Sequence, residues 1–427
     1  MKGTSPPIFR ALDEFRLADL EAVRLLLRGG SVIDWHRLNF EETCEAEEFL
    51  RAQELDIDEP ADVARVEAVK MSAVQYLKRN FDFPIPKPVA NLDIVSLLML
   101  ASGRGHRQLC ACTILKVMHI IHHLEARELL FTLPISDQEV FHYVEEKVYR
   151  VIGGMLARGF PILEFIGGRK NKDSLYTKLL SKREVLAANI YDKLRFRIVT
   201  RAPEDIFPTL NYLMTHVFPF NYAIPGQSTN TMFHFRSYCE SHPHLSELIP
   251  RLQMPIDHED MGSRVDNLFT AENYRVVHFV VDMPVRLPRE VLQEAPPNAW
   301  SLGQIIFVQT EFQIIDRETE HANELGEASH AAYKVRQKLA VTRRLKLGEQ
   351  EIAPPRPRTT GRSIRPPAPA KSIRPPAPSK SMHPAPTAAS LRPPAIPKAP
   401  GFPKPLRANT KSPVQPGGAR RKKKRRR

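Results

Sequence analysis

Half of the chain's 38 prolines crowd into its last 76 residues, and that crowding limits where a fold can form. The ragged repeat SIRPPAPAK, SIRPPAPSK, SMHPAPTAAS, LRPPAIPKAP has too little apolar surface to offset the entropy of ordering it, so residues 346–427 are expected to be a disordered tail. Residues 352–427 also hold 20 Lys plus Arg and no acid; removing them from the net charge of +14 leaves −6 for residues 1–351. The basic character therefore belongs to the tail, not to the folded part. Its end, ARRKKKRRR, is expected to attract a polyanion such as RNA, the ribosome or the nucleoid by counterion release, without reading sequence.

The remaining length suits two or three domains, and 42% hydrophobic residues suffice for a sizeable core. Four cysteines without a regular framework fit a reducing compartment, and Cys110 and Cys112 are read as buried thiols rather than zinc ligands. No uninterrupted apolar run reaches the roughly 18 residues that span a bilayer, so a cytoplasmic location is expected.

Two textures divide the folded part. Residues 1–160 show apolar residues at helical spacing, as in ALDEFRLADLEAVRLLL and LCACTILKVMHIIHHLEARELLF. The proline-rich FDFPIPKPV interrupts them and suggests two helical subdomains. His119, His122, His123 and Glu125 lie close together within that region but lack a paired carboxylate motif, so packing is expected rather than a metal. Over residues 161–345 helical and strand patterns alternate. SLYTKLLSKREVLAANI, PEDIFPTLNYLMTHVF and TEHANELGEASHAAYKVRQKL read as helices, and YDKLRFRIVT, YRVVHFVVDMPVRL and QIIFVQTEFQII as strands.

Several polar residues fall where a plain core would not put them. Alternation places Asp192 with Leu194, Phe196 and Ile198, and a carboxylate there calls for a cation or metal. Tyr274 and His278 are expected on one strand face, roughly 13 Å apart, a span that suits a nucleotide. Gln309, Glu311 and Gln313 form a polar stripe in an apolar strand. Ahead of them GGRKNKDSLYTK packs two glycines and four cations into a dozen residues.

Four blocks in this order resemble the synthetase domain of the RelA/SpoT family, the (p)ppGpp synthetases. GRKNKDSLYTKLLSK is similar to that family's basic phosphate loop, and NIYDKLRFRIV to the strand whose aspartate holds magnesium. ENYRVVHF is similar to the segment whose tyrosine stacks on guanine. EFQIIDRETEHANELGEASHAAYK is similar to E-V-Q-I-R-T followed by A-E-x-G-x-A-A-H-x-x-Y-K. The resemblance implies an α+β fold, a nucleotidyltransferase-like mixed sheet flanked by helices, behind an all-helical N-terminal region. It implies transfer of pyrophosphate from ATP to the 3′-hydroxyl of GDP or GTP, with Mg²⁺ as cofactor, in alarmone synthesis.

Residue by residue, Asp192 and Glu311 would be catalytic and hold the metal, and Arg169, Lys170, Lys172, Ser174 and Lys178 would bind ATP phosphates, with Ser174 capping the helix that follows. Tyr274, His278, Gln313 and His330 would hold the acceptor nucleotide. The family's Arg-Thr is Ile315-Asp316 here, and residues 223–262 stand as an insertion. These departures fall on the acceptor side and keep two alternatives open: transfer to another 3′-hydroxyl such as that of tRNA, or an inactive nucleotide- or RNA-binding module. No His-Asp pair occurs in residues 1–165, so no hydrolase activity is expected.

Overall fold

The computed structural model describes residues 9–29, 35, 38–181, 193–252, 256 and 270–350. They all fall within one compact unit, Met1–Arg356; residues 346–350, expected to open the tail, are the end of a helix, and the rest of the expected tail lies outside the described residues. The N-terminal half contributes helices α1 (Leu17–Arg28), α2 (Thr43–Ala52), α3 (Pro60–Phe81), α4 (Lys87–Ala90), α5 (Ile94–Ala101), α6 (His106–Thr132) and α7 (Asp137–Ala157). Strand β1 (Ile162–Arg169) and helix α8 (Lys172–Ser181) follow, then β2 (Leu194–Thr200), α9 (Ile206–His216), β3 (Thr229–Asn230), α10 (Phe235–Ser241) and α11 (Pro243–Leu248). The last elements are β4 (Val277–Arg286), α12 (Arg289–Gln293), β5 (Ile305–Asp316), α13 (Arg317–Glu324) and α14 (His330–Gln350). The result is a mixed α+β architecture, a five-stranded mixed sheet flanked by helices.

Local sequence sets several boundaries. Pro60 opens α3 at a position whose N–H has no partner in any helix, and Asp82, in the left-handed region at φ 48°, closes it. Ser136 and Glu139 cap α7 reciprocally. Gly29 ends α1 with φ 64°.

The sheet order is β1-β2-β5-β4-β3, with β2 and β5 parallel and the other pairs antiparallel. Phe196, Phe312 and Phe279 are direct register partners on three neighbouring strands, with ring centroids 5.5 Å apart at each step. Phe165 of β1 stacks on Phe196 at 5.7 Å. Helices α7 and α9 cover this face, placing Val144, Val148, Ile152, Phe207, Leu210 and Leu213 in the same core. The row ends at Gly167, where a Cβ would come within 2.5 Å of the Tyr149 hydroxyl and 2.9 Å of the Phe196 ring. Glycine is required there by close packing.

A second cluster lies among α2, α3, α5 and α6 and reaches the start of β5 through Ile305. It joins Val66, Val69, Ala73 and Leu77 of α3 to Cys110, Ile114 and Leu115 of α6, so the proline-rich break is a turn within one core rather than a boundary between two subdomains. Cys110 and Cys112 are buried in it as free thiols. Along α6 the imidazoles pack as the sequence suggests. His123 stacks on Phe307 of β5 with centroids 4.1 Å apart, and His119 Nδ1 lies 3.3 Å from Asn221 Nδ2. Helix α6, 27 residues long, is by length and composition apolar enough to cross a bilayer despite its interrupting charges; Ala111, Ile114 and Leu115 are buried within the lobe.

Four expectations change. PILEFI, read only as an apolar run, is the edge strand β1. Residues 223–262 are integral where described, since Phe233, Phe235, Cys239, Leu245 and Leu248 enter the main core. That core also takes Leu20, Val23 and Leu26 of α1, so helices from both sides of residue 160 cover one sheet. The helix expected across residues 319–339 is broken at Leu325–Ser329, where Gly326 adopts φ 64°. The helix expected over residues 174–190 is seen to Ser181, and its remainder lies outside the described residues.

The imidazole row gives the fold a pH dependence. Burial, aided for His122 by the neighbouring His123 and Arg65, pushes His122 down to about 3, and burial pushes His123 to about 4. In the unfolded chain these groups take up protons near pH 6.5. Between those values the unfolded state binds more protons, so stability falls as pH drops from 7 toward 4, by about 1.4 kcal/mol per pH unit for each imidazole. Urea unfolding at pH 7 and pH 5 measures this loss, and His123→Phe, which keeps the stack on Phe307, is expected to reduce it by one proton's share. An unfolding midpoint indifferent to pH would contradict the assignment.

Candidate functional site

The register that buries the phenylalanines turns the alternate positions to the other face. Arg195 of β2 is the partner of Glu311 in β5, and Arg197 the partner of Gln313. Across the antiparallel pairs, Val280 and His278 of β4 stand beside Glu311 and Gln313, and Gly168 and Ile166 of β1 beside Arg195 and Arg197. Strand spacing of about 4.8 Å then makes two adjacent rows, Gly168–Arg195–Glu311–Val280 and Ile166–Arg197–Gln313–His278. The lower end of this face, at Phe307, is covered by α6. The upper end carries the polar groups.

Glu311 is the centre of this patch. It is only 6% exposed, and a buried carboxylate is costly unless hydrogen-bonded. Its Oε1 accepts from Gln313 Nε2 at 2.7 Å and lies 3.3 Å from His278 Nε2. Arg197 pairs with Glu320 of α13 at 3.2 Å. Burial raises the Glu320 carboxyl, and Arg197 opposes the shift.

Tyr274 arrives by a route that strand parity does not describe. Strand β4 begins at Val277; Tyr274 lies in the turn before it, its N–H donating to Ala271 O at 3.1 Å. The strand spacing expected between Tyr274 and His278 therefore does not apply. Its ring packs beside Val199, Val276 and Ile315. Burial raises its hydroxyl above the usual range, with Arg197 and Arg195 lowering it and Glu311 and Glu324 raising it, so the hydroxyl shares the field of the polar face. His330, first residue of α14, is lowered by burial and by Lys334, Arg195 and Arg197, against the opposing pull of Glu324. Glu311, Gln313, His278, Tyr274 and His330 thus belong to one neighbourhood.

The basic loop is arranged differently from expectation. Arg169 is the register partner of Leu194, on the face of the phenylalanine row rather than that of Glu311. Its guanidinium donates to both carboxylate oxygens of Glu145 on α7, at 2.8 and 2.7 Å, and to Gln138, and it lies 5.8 Å from the centre of the Phe141 ring. Arg169 is therefore directed to α7, away from Glu311. Lys170 donates its backbone N–H to Lys193 O at 2.8 Å. Asn171, not Ser174, caps α8: its Oδ1 accepts the Ser174 N–H at 2.8 Å. Lys172 is exposed in the first turn of α8 and Lys178 half-buried in its last. Asp192 lies outside the described residues, which resume at Lys193.

Three residues of the site were not singled out from sequence. Arg195 and Glu320 sit on charged, alternating stretches, and only pairing shows which of them face Glu311. Asn323, 3% exposed, accepts from Arg275 N at 3.0 Å and donates to Arg275 O at 2.6 Å, clamping the turn that carries Tyr274 to α13. Magnesium keeps several waters and takes one or two carboxylates plus substrate phosphates. A lone buried carboxylate flanked by an amide fits that demand, whereas no group of three or more His, Cys, Asp or Glu able to hold a metal occurs among the described residues.

Asn323→Ala strands both backbone groups of Arg275. We expect a loss of about 1–3 kcal/mol in stability and faster hydrogen exchange at the Arg275 amide. Unchanged protection there would remove the clamp.

No family model matches the chain, and no curated relative does. Among solved structures it is similar to small alarmone synthetase 1 from Bacillus subtilis, at 15% identity over 49% of this chain and 90% of that one, with a TM-score of 0.27. It is likewise similar to small alarmone synthetase 2 from Bacillus subtilis, at 16% identity over 52% of this chain and 97% of that one, TM-score 0.25. A GTP pyrophosphokinase family protein from Streptococcus pneumoniae matches at 13% identity over 49% of this chain and 87% of that one, TM-score 0.24.

Proposed function

We propose that the chain is a pyrophosphokinase on a nucleotidyltransferase-like fold, moving pyrophosphate from ATP to the 3′-hydroxyl of GDP or GTP in alarmone synthesis. The observation that carries this reading is the setting of Glu311: a buried carboxylate, held by Gln313 and His278, with arginines one strand away and Tyr274 and His330 in the same field. It is supported by the four ordered sequence blocks, of which His278, Glu311 and Gln313 share one face of the sheet.

The transfer asks a protein for positioning and charge neutralisation more than for covalent chemistry. Glu311 would accept the proton of the acceptor hydroxyl, its orientation fixed by the Gln313 amide. His278 beside it would hold the acceptor ribose, and Tyr274 would stack on the acceptor base. Lys170 and Lys172 would supply cations to the donor phosphates beside the first turn of α8, whose free amides favour an anion, and Lys178 a further cation from its last turn. Glu311 together with Asp192 would hold Mg²⁺, which when bound neutralises phosphate charge. The basic tail would bring the protein to a polyanion.

Incubation of the full chain with γ-labelled ATP, Mg²⁺ and either GDP, GTP or bulk tRNA tests the reading. Label is expected on GDP or GTP, and Glu311→Gln is expected to lower kcat by about 10²–10⁴-fold with the melting temperature nearly unchanged. Label on tRNA alone would reassign the acceptor, and no transfer to any acceptor would overturn the reading.

A further inference from the structure

The arginines at the end of the sheet differ in what holds them. Arg169 is engaged by Glu145 and Gln138 on the far face, and Arg197 by Glu320. The Arg195 side chain is exposed and makes no hydrogen bond or ion pair among the described residues. It lies on the site face, in register with Glu311 on one side and Gly168 on the other. A Cβ on Gly168 would meet nothing within 4 Å, so the β1 backbone is bare beside Arg195. Its charge bears on both Tyr274 and His330, so it shares their neighbourhood while standing directly opposite Glu311.

We infer that Arg195, rather than Arg169, is the arginine that receives a nucleotide phosphate on this face. The planar fork of an arginine matches phosphate oxygens two at a time, and an unengaged fork loses no protein partner when it binds. Bare backbone at Gly168 lets a phosphate approach without a side chain in its way. Ile166, 46% exposed on the same face, and the Tyr274 ring supply apolar surface for a base. Glu311 beside Arg195 repels a bare polyanion. The ligand that satisfies both is a polyphosphate carrying a divalent cation that the carboxylate shares. The choice of ATP as that ligand rests on the proposed function; the phosphate site does not.

Isothermal titration of the full chain with ATP and, separately, with inorganic tripolyphosphate, each with Mg²⁺, tests the inference. Arg195→Gln is expected to weaken both ligands at least tenfold, Arg195→Lys to weaken them less, and Arg79→Gln, which removes an exposed charge at the end of α3, to leave both within twofold. Because Arg195 is exposed, melting temperatures should stay close to wild type; the lysine variant decides the matter if the glutamine variant does not fold. Wild-type binding of ATP by Arg195→Gln, equal loss in Arg79→Gln, or no tripolyphosphate binding by the natural chain would each overturn the inference. If label transfer fails while binding depends on Arg195, the transferase reading falls and the phosphate site stands. If transfer succeeds while Arg195→Gln binds as wild type, the reverse holds.

Discussion

The in-register row Phe196–Phe312–Phe279 is the interaction on which the rest of this structure depends. Side chains alternate along a strand, so a slip of one residue would bring Glu311 and Gln313 into the core and turn the phenylalanines to solvent. Each ring pair contributes about 0.5–1.5 kcal/mol beyond its buried area, and the cost of burying Glu311 without its partners adds to the penalty for the wrong register. The polar face is therefore a consequence of the apolar one. Arg195 and Arg197 stand beside Glu311 and Gln313 because the phenylalanines of β2 and β5 face each other.

The helices act on that sheet from both sides. Helix α7 closes the apolar face and draws Arg169 toward it through Glu145, which ties the end of β1 to the helical region. Helix α6 covers the opposite face only at its lower end, where His123 lies flat on Phe307, four residues before Glu311 in the same strand. Leu325–Ser329 breaks the C-terminal helix, and α14 then starts at His330 in the field of Arg195 and Arg197.

Much of this was legible in the chain. The apolar periodicities of α6, α9, β4 and β5 announced their elements, and the polar stripe Gln309, Glu311, Gln313 announced a face that a plain core would not have. The misreadings share a cause. β1 was hidden because its exposed and half-buried pattern carries glycines and no clean alternation, as suits an edge strand. Tyr274 was placed by strand parity although its strand starts three residues later, since strand ends depend on which neighbour pairs with them. The single C-terminal helix ignored Gly326, whose left-handed conformation breaks it. Arg169 was read as a free cation because its partner, Glu145, lies 24 residues away on a helix that packs beside it only in the fold.

By itself the sequence determined the local matters: helix and strand periods, a cap at Ser136 and a helix start at Pro60, a basic loop, and the residue types a phosphate-handling site needs. Those follow from interactions within a few residues along the chain. Only tertiary structure decided which carboxylate is buried, which arginine is neutralised and which is left open, because each of these depends on the pairing of strands distant in sequence. β2 and β5 lie more than a hundred residues apart, yet their parallel register alone brings Arg195 to Glu311.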